Sequence, residues 1–116
     1  MNYFKIEEFA SSDNPNSGGL MNNGFLRALI NARELAKTSF VITSGYRTIK
    51  HNREINGNPS SSHLKGLAAD IACDNGPKRE KIVRGLILAG FTRIGIGSNF
   101  IHCDTDNDKP NSIWLY

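Results

Sequence analysis

The chain has 116 residues, a net charge of +3 and 39% hydrophobic residues, which is typical of one globular domain whose core needs no disulfide or metal to fold. The basic residues are scattered and are not interleaved with aromatic ones, and no stretch is apolar enough to span a bilayer. We therefore predict a monomeric single domain over residues 1–116 that binds neither nucleic acid nor a membrane.

The N-terminus does not resemble a signal peptide. Glu7 and Glu8 form an early acidic pair, and no apolar stretch accompanies them. Unless a leader precedes this segment, we expect the protein to be made in the cytoplasm. Residues 11–19 are predicted to form a loop because they are rich in Ser, Asn, Pro and Gly, and this loop separates the short segment 3–9 from the body of the domain.

The central part of the chain alternates between helical and strand patterns. Residues 21–37 predict an amphipathic helix because apolar residues recur at helical spacing. The predicted apolar stripe consists of Met21, Phe25, Leu26, Leu29, Ala32 and Leu35. Residues 40–43 predict a buried strand that leads into a turn at 44–47. Thr48 is the predicted N-cap of a short helix that runs to Asn56, with Gly57 as its C-terminal stop.

The second half of the chain adds further strands around one helix. Residues 56–62 predict a loop and residues 67–73 a strand. Pro77 is expected to open a helix over 78–89 that ends at Gly90. Residues 92–96 and 100–104 predict two strands joined by a short turn, and residues 113–116 predict an edge strand. Because short turns join the later strands, we predict an α+β domain with a mainly antiparallel sheet and helices packed against it.

Three polar residues stand where the pattern predicts apolar ones. They are His63, Asp70 and His102, of which the last two interrupt predicted strands. Burying an ionised Asp without a partner is costly, and a bound metal removes that cost. Two imidazoles and one carboxylate form an open zinc set with its fourth position left for water. The spacing by itself is equally compatible with histidines that are merely hydrogen-bonded in a core.

Strand geometry separates the candidate ligands from the two cysteines. Side chains alternate between the two faces of a strand. If Asp70 faces the site, Cys73 faces away, and if His102 faces the site, Asp104 does too while Cys103 faces away. The cysteines are therefore expected to be buried thiols behind the sheet, although a disulfide between them stays open.

Three motifs occur in a fixed order along the chain: SGYR at 44–47, SSHLKGLAAD at 61–70, and HCD at 102–104. This order resembles the zinc D-alanyl-D-alanine carboxypeptidase family. That family also contains phage L-alanyl-D-glutamate endolysins, and it shares its site with the hedgehog signalling domain. The resemblance covers nearly the whole chain.

The resemblance implies a role for each matching residue. His63, Asp70 and His102 match the zinc ligands of the family, with one zinc ion per chain. Arg47 matches an arginine that supports the scissile carbonyl or a substrate carboxylate, and Ser61 matches a position beside the substrate. The implied activity is hydrolysis of a peptide bond in bacterial peptidoglycan by metal-activated water, as a carboxypeptidase or as an endopeptidase.

The chain departs from the family pattern at Asn99. Many members have an acidic general base three positions before the last zinc-binding histidine, and an amide cannot accept that proton. Asp104 is the proposed substitute because it lies two residues after His102, and its alternative role is to orient that histidine. Asp106 and Asp108 are further candidates for the base, although we predict that they are loop residues.

Asn99 also keeps a second function open, that of a catalytically weak or inactive zinc-containing module that binds the cell wall or belongs to a virion. The lack of a signal peptide favours a phage-like product that acts on the wall after release by lysis or within a particle. The motifs do not choose among the D-Ala-D-Ala, L-Ala-D-Glu and cross-bridge bonds.

Overall fold

A computed structural model describes residues 3–116 of the chain. These residues form an α+β domain, which confirms the predicted fold class. The helices are α1 (Asn23–Ala36), α2 (Ile49–Glu54) and α3 (Gly76–Leu88), and the strands are β1 (Ile42–Ser44), β2 (Ala68–Ala72), β3 (Arg93–Ile96), β4 (Phe100–Asp104) and β5 (Ser112–Leu115). Three 3-10 turns at Ile6–Phe9, Ser17–Leu20 and Ser62–Lys65 complete the elements.

The strands lie in the order β1-β2-β4-β3-β5 across one sheet. Neighbouring strands are antiparallel except β3 and β5, which are parallel. In the pairing of β2 with β4, Asp70 is directly opposite His102. Cross-strand partners have Cβ atoms only about 4.5–5.5 Å apart. The register alone therefore brings two of the predicted zinc ligands together.

The strand predicted at residues 40–43 begins two residues later than predicted, and of the predicted run Phe40 is buried while Ile42 is half-buried. The strand is Ile42–Ser44, it lies at the edge of the sheet, and Val41 is exposed. The pairing with β2 shifts between Ile42 and Ser44, as at a β-bulge. An edge strand has a neighbouring strand on one side only, so part of a short apolar run there remains exposed to solvent. The predicted edge position of β5 is confirmed.

Helices α1 and α3 pack against each other through small residues. A Cβ added at Gly85 would lie 2.5 Å from the Ala36 side chain and 2.6 Å from the Ala32 carbonyl oxygen. The buried row of α1 therefore continues to Ala36, whereas Leu35, which was predicted to belong to the row, is exposed. Side-chain size at the helix crossing decided which residue is buried.

Capping side chains determine where the helices begin. Thr48 caps α2 as predicted, while Asn22 and Asn75 cap α1 and α3. Helix α2 ends earlier than predicted, and Asn56, rather than Gly57, adopts the left-handed conformation that follows it, with a φ of 56°. Asparagine tolerates this region better than most residues.

The hydrophobic core lies between the helices and one face of the sheet. Ile71, Cys73, Ile101 and Cys103 belong to this core, and the two thiols are buried without forming a disulfide. The prediction that the cysteines are buried core thiols is confirmed. Within residues 3–116, no helix has the length and apolar character needed to cross a membrane.

Candidate metal centre

His63, Asp70 and His102 converge on one face of the sheet. One ligand atom from each lies within 4.8 Å of the others. Nε2 of His63 is 3.4 Å from Oδ1 of Asp70, and Nδ1 of His102 is 3.0 Å from the same oxygen. Two imidazole nitrogens and one carboxylate oxygen at this separation make a donor set suited to zinc.

His63 is held by the 3-10 turn Ser62–Lys65 and by the loop after β1. Oγ of Ser61 accepts the backbone N–H of His63 at 3.2 Å and so caps the turn. Nδ1 of His63 donates to the carbonyl oxygen of Gly45 at 2.7 Å. Because a carbonyl can only accept, Nδ1 carries a proton, and Nε2 is the nitrogen that faces Asp70.

His102 is held by the carboxylate two residues further along β4. Nε2 of His102 donates to Oδ2 of Asp104 at 2.7 Å, which leaves Nδ1 facing Asp70. Asp104 is only 1% exposed, and it also accepts from Nε of Arg93 at 2.8 Å and from the backbone N–H of Asp106 at 3.1 Å. A carboxylate in this position fixes the orientation of a ligand histidine and raises its basicity.

The charges of the site support one another. Burial raises the pKa of Asp70, but hydrogen bonds from His102 and His63 outweigh it and hold the pKa well below the usual range. Burial lowers the pKa of His102, but hydrogen bonds to Asp104 and Asp70 hold that pKa above its ordinary value. The site therefore keeps Asp70 ionised, which is the state that a metal-binding carboxylate requires.

Arg47 extends the site away from the histidines. Its Nη2 lies 3.6 Å from Oδ2 of Asp70, and its Nε donates to Oγ of Ser44 at 3.2 Å. Its Nη1 donates to Oδ1 of Asn52 at 3.3 Å. Asn52 is 3% exposed and donates in turn to the carbonyl oxygen of Asn58 at 3.0 Å. The guanidinium is therefore held on three sides rather than left to move in solvent.

Two polar residues that support the site carried no signal in the sequence. Asn52 lies in a short helix, and Asp106 lies in a loop, as predicted. Both side chains are nevertheless buried. Asp106 accepts from Ser62 at 2.7 Å and from Lys65 at 3.1 Å, which ties the loop after β4 to the turn that carries His63. Burial raises the pKa of Asp106, but these bonds lower it to about 2.

The three candidate ligands open into a cleft of about 340 Å³, a volume within the range of small-ligand sites. Cationic residues Arg47, Arg93 and Lys109, aromatic residues Phe100, Trp114 and Tyr116, and the predicted substrate-side residue Ser61 line it. Asn99 is exposed in the turn between β3 and β4, where its carbonyl oxygen accepts the backbone N–H of Cys73 at 2.9 Å.

The comparison with known families agrees with this geometry. A family model described as Peptidase M15 matches residues 2–104. The match includes all three candidate ligands and stops at Asp104, so β5 lies beyond it. No curated protein sequence matches the chain. The donor set formed by His63, Asp70 and His102 fits the zinc dependence of this peptidase family. The chain belongs to the peptidase M15 family.

Proposed function

We propose that this protein is a zinc metallopeptidase that hydrolyses a peptide bond in the stem peptide of bacterial peptidoglycan. One observation carries the proposal. Each of the two histidines has one ring nitrogen bonded to a fixed acceptor, Gly45 or Asp104, and the other directed at Asp70. Histidines that only fill a core have no need to direct one ring nitrogen each at the same carboxylate.

Each residue of the site would have a separate role in the reaction. His63, Asp70 and His102 would hold one zinc ion, which supplies Lewis acidity and lowers the pKa of a water molecule to about 7. Arg47 offers a planar fork of charged donors, which suits a carbonyl oxygen that gains negative charge or a substrate carboxylate. Ser61 lines the cleft and caps the turn of His63, so it contributes both to the substrate side and to the support of the site.

Asp104 is a candidate for the general base, but its contacts favour a role in orienting His102. Its carboxylate already accepts hydrogen bonds from three donors. The imidazole of His102 also lies between Asp104 and Asp70, since its two nitrogens face the two carboxylates. A general base has to reach the proton that it removes. We therefore propose that Asp104 orients His102.

The first experiment measures zinc content in the purified protein and in a His63→Ala variant, and then digests purified peptidoglycan with both. We expect about one zinc ion per chain in the wild type, loss of zinc in the variant, and new amino termini by mass spectrometry only with the wild type. Equal metal content in both proteins would overturn the ligand assignment, and zinc without new termini would overturn the peptidase assignment.

A second candidate function is a zinc-containing module that binds the cell wall without cutting it. The observation that favours it is the lack of an evident proton acceptor. Among residues 3–116, the carboxylates that line the cleft are Asp70 and Asp104, and both are already engaged by histidines. Sedimentation with peptidoglycan sacculi, in the absence of new amino termini, is the result expected from this second candidate.

A further inference from the structure

Strand β5 and the residue after it add two aromatic side chains to the cleft beside the candidate metal ligands. The ring of Trp114 lies against His102 with centroids 5.4 Å apart, and the ring of Tyr116 lies 6.2 Å from that of Trp114. Phe100, from β4, completes the group at 4.8 Å from Tyr116. We call Phe100, Trp114 and Tyr116 the aromatic wall. Two of its three members lie beyond the part of the chain that the family match covers.

Two glycines on β3 and in the turn after it give the aromatic wall its position. A Cβ added at Gly95 would lie 2.6 Å from the ring of Tyr116 and 2.7 Å from that of Trp114. A Cβ added at Gly97 would lie 2.2 Å from the ring of Phe100. The rings therefore lie directly against backbone that has no side chain, and their positions are set before any ligand arrives.

The aromatic wall is open to solvent mainly at Tyr116, while Phe100 and Trp114 are half-buried. Tyr116 is 67% exposed in spite of its two aromatic neighbours. Arg93 stacks on Trp114 with its guanidinium carbon 4.8 Å from the ring centroid, and the same arginine donates to Asp104. The wall is thus connected to the support of His102. A fixed but exposed aromatic surface at the mouth of a polar cleft has the character of a ligand-binding surface.

We propose that the aromatic wall binds an amino-sugar ring of the peptidoglycan glycan, an inference that rests on the proposed function. Of the groups in this polymer, an amino-sugar ring best matches the aromatic wall in size and shape. The stem peptide offers methyl groups and charged chains, whereas the amino sugars are the rings of this polymer. A pyranose ring has a face of C–H groups that packs on the face of an aromatic ring. Arg47 and Lys109 of the same cleft suit the carboxylates of the attached peptide.

The distance between the aromatic wall and the candidate metal ligands limits which bond is cut. The rings of Tyr116 and His102 are linked through Trp114 by spacings of 6.2 Å and 5.4 Å, and the two spacings together are the upper limit of their separation. An extended peptide covers that limit with about three residues, at roughly 3.3–3.6 Å each. A stem peptide that runs extended from a sugar on the wall therefore reaches the site with a bond within its first three residues. The terminal D-Ala-D-Ala bond lies further from the sugar than this.

Tryptophan fluorescence tests sugar binding without any need for catalysis. Trp114 is the one tryptophan of the chain, so its emission reports on the wall. The probe is the peptide-free disaccharide of N-acetylglucosamine and N-acetylmuramic acid. We expect a saturable change in emission, and affinity that falls roughly threefold to tenfold in Tyr116→Ala, the loss expected for one stacked ring. Tyr116→Phe keeps the ring and the affinity. Leu115→Ala, 79% exposed on the opposite face of β5, is the matched control and binds as the wild type does.

A kinetic comparison separates the failure of this inference from the failure of the proposed function. We expect a higher kcat/KM for a disaccharide-linked tetrapeptide than for the free tetrapeptide, with a ratio that falls towards one in Tyr116→Ala and is kept in Tyr116→Phe. Equal cleavage of both substrates by the wild type, with no fluorescence response to the disaccharide, would overturn the sugar site and leave the peptidase intact. Disaccharide binding without cleavage of either substrate would support the sugar site and overturn the peptidase.

Discussion

The two faces of the central strands β2 and β4 have opposite chemistry in alternating residues. On one face, Asp70 is opposite His102, and one position further along, on the other face, Ile71 is opposite Ile101. The first pair opens into the cleft, and the second pair is fully buried in the core. One register therefore sets both the site and the core, and a slip by one residue would exchange them.

The core behind the site helps to fix the positions of its residues. The buried apolar pair favours this register of β2 against β4, because a slip would place a polar pair in the core at a high cost. The opposite chemistry of the two faces also predicts that substitutions on them cause different and separable damage.

The first prediction concerns the site face. Asp70→Ala removes the carboxylate on which both histidines converge, so we expect zinc affinity to fall by more than about 100-fold and turnover to disappear. The fold should persist because the core face is untouched. Zinc titration and circular dichroism of the same preparation test both parts, and full zinc occupancy in this variant would remove Asp70 from the site.

The second prediction concerns the support of His102. Asp104→Asn keeps an acceptor for Nε2 of His102 but loses the negative charge, so we expect zinc affinity to fall about 10- to 100-fold. Turnover should then recover when zinc is supplied in excess. Chelator competition and peptidase assays measure the two quantities.

The alternative outcome for this variant is equally informative. If Asp104 is the general base, Asp104→Asn keeps its zinc affinity and loses about 10²- to 10⁴-fold in turnover even at saturating zinc. That result would contradict the orienting role and support the base role.

The third prediction concerns the core face. Ile71→Ala leaves a cavity where a fully buried side chain was packed, so we expect the free energy of unfolding to fall by about 2–5 kcal/mol. Zinc stoichiometry in the folded protein should stay at the wild-type value. Urea denaturation with a parallel zinc assay tests this, and zinc loss from the fully folded variant would show that the two faces are not separable.

The fourth prediction concerns Arg47, at the end of the site. Asn52→Leu removes the acceptor for Nη1 of Arg47, so we expect kcat/KM to fall about 10- to 100-fold, the equivalent of one hydrogen bond to a charged group, while zinc affinity stays unchanged. Asn52→Asp retains an acceptor and should restore most of the activity. Arg53→Ala, exposed on the same helix, is the control. Equal activity in Asn52→Leu and the wild type would show that Arg47 does not need this support.

Local patterns carried much of the fold. Helical spacing, capping residues and strand alternation predicted the order of the elements, the cap at Thr48, and the burial of Cys73 and Cys103. These features depend on neighbours within a few residues, and such neighbours are visible in a sequence. The resemblance of three ordered motifs then indicated which polar residues belong together, although they lie far apart along the chain.

By itself, then, the sequence determined the α+β class, the alternation of the two sheet faces and the set of candidate zinc ligands. The tertiary structure alone decided that β1 lies at an edge, that Asn52 and Asp106 are buried supports, and that Trp114 and Tyr116 line the cleft. The physical reason is the same in each case. These roles depend on contacts between residues distant in sequence, such as Asp106 with Ser62, and the local pattern around either partner does not reveal which residue covers it.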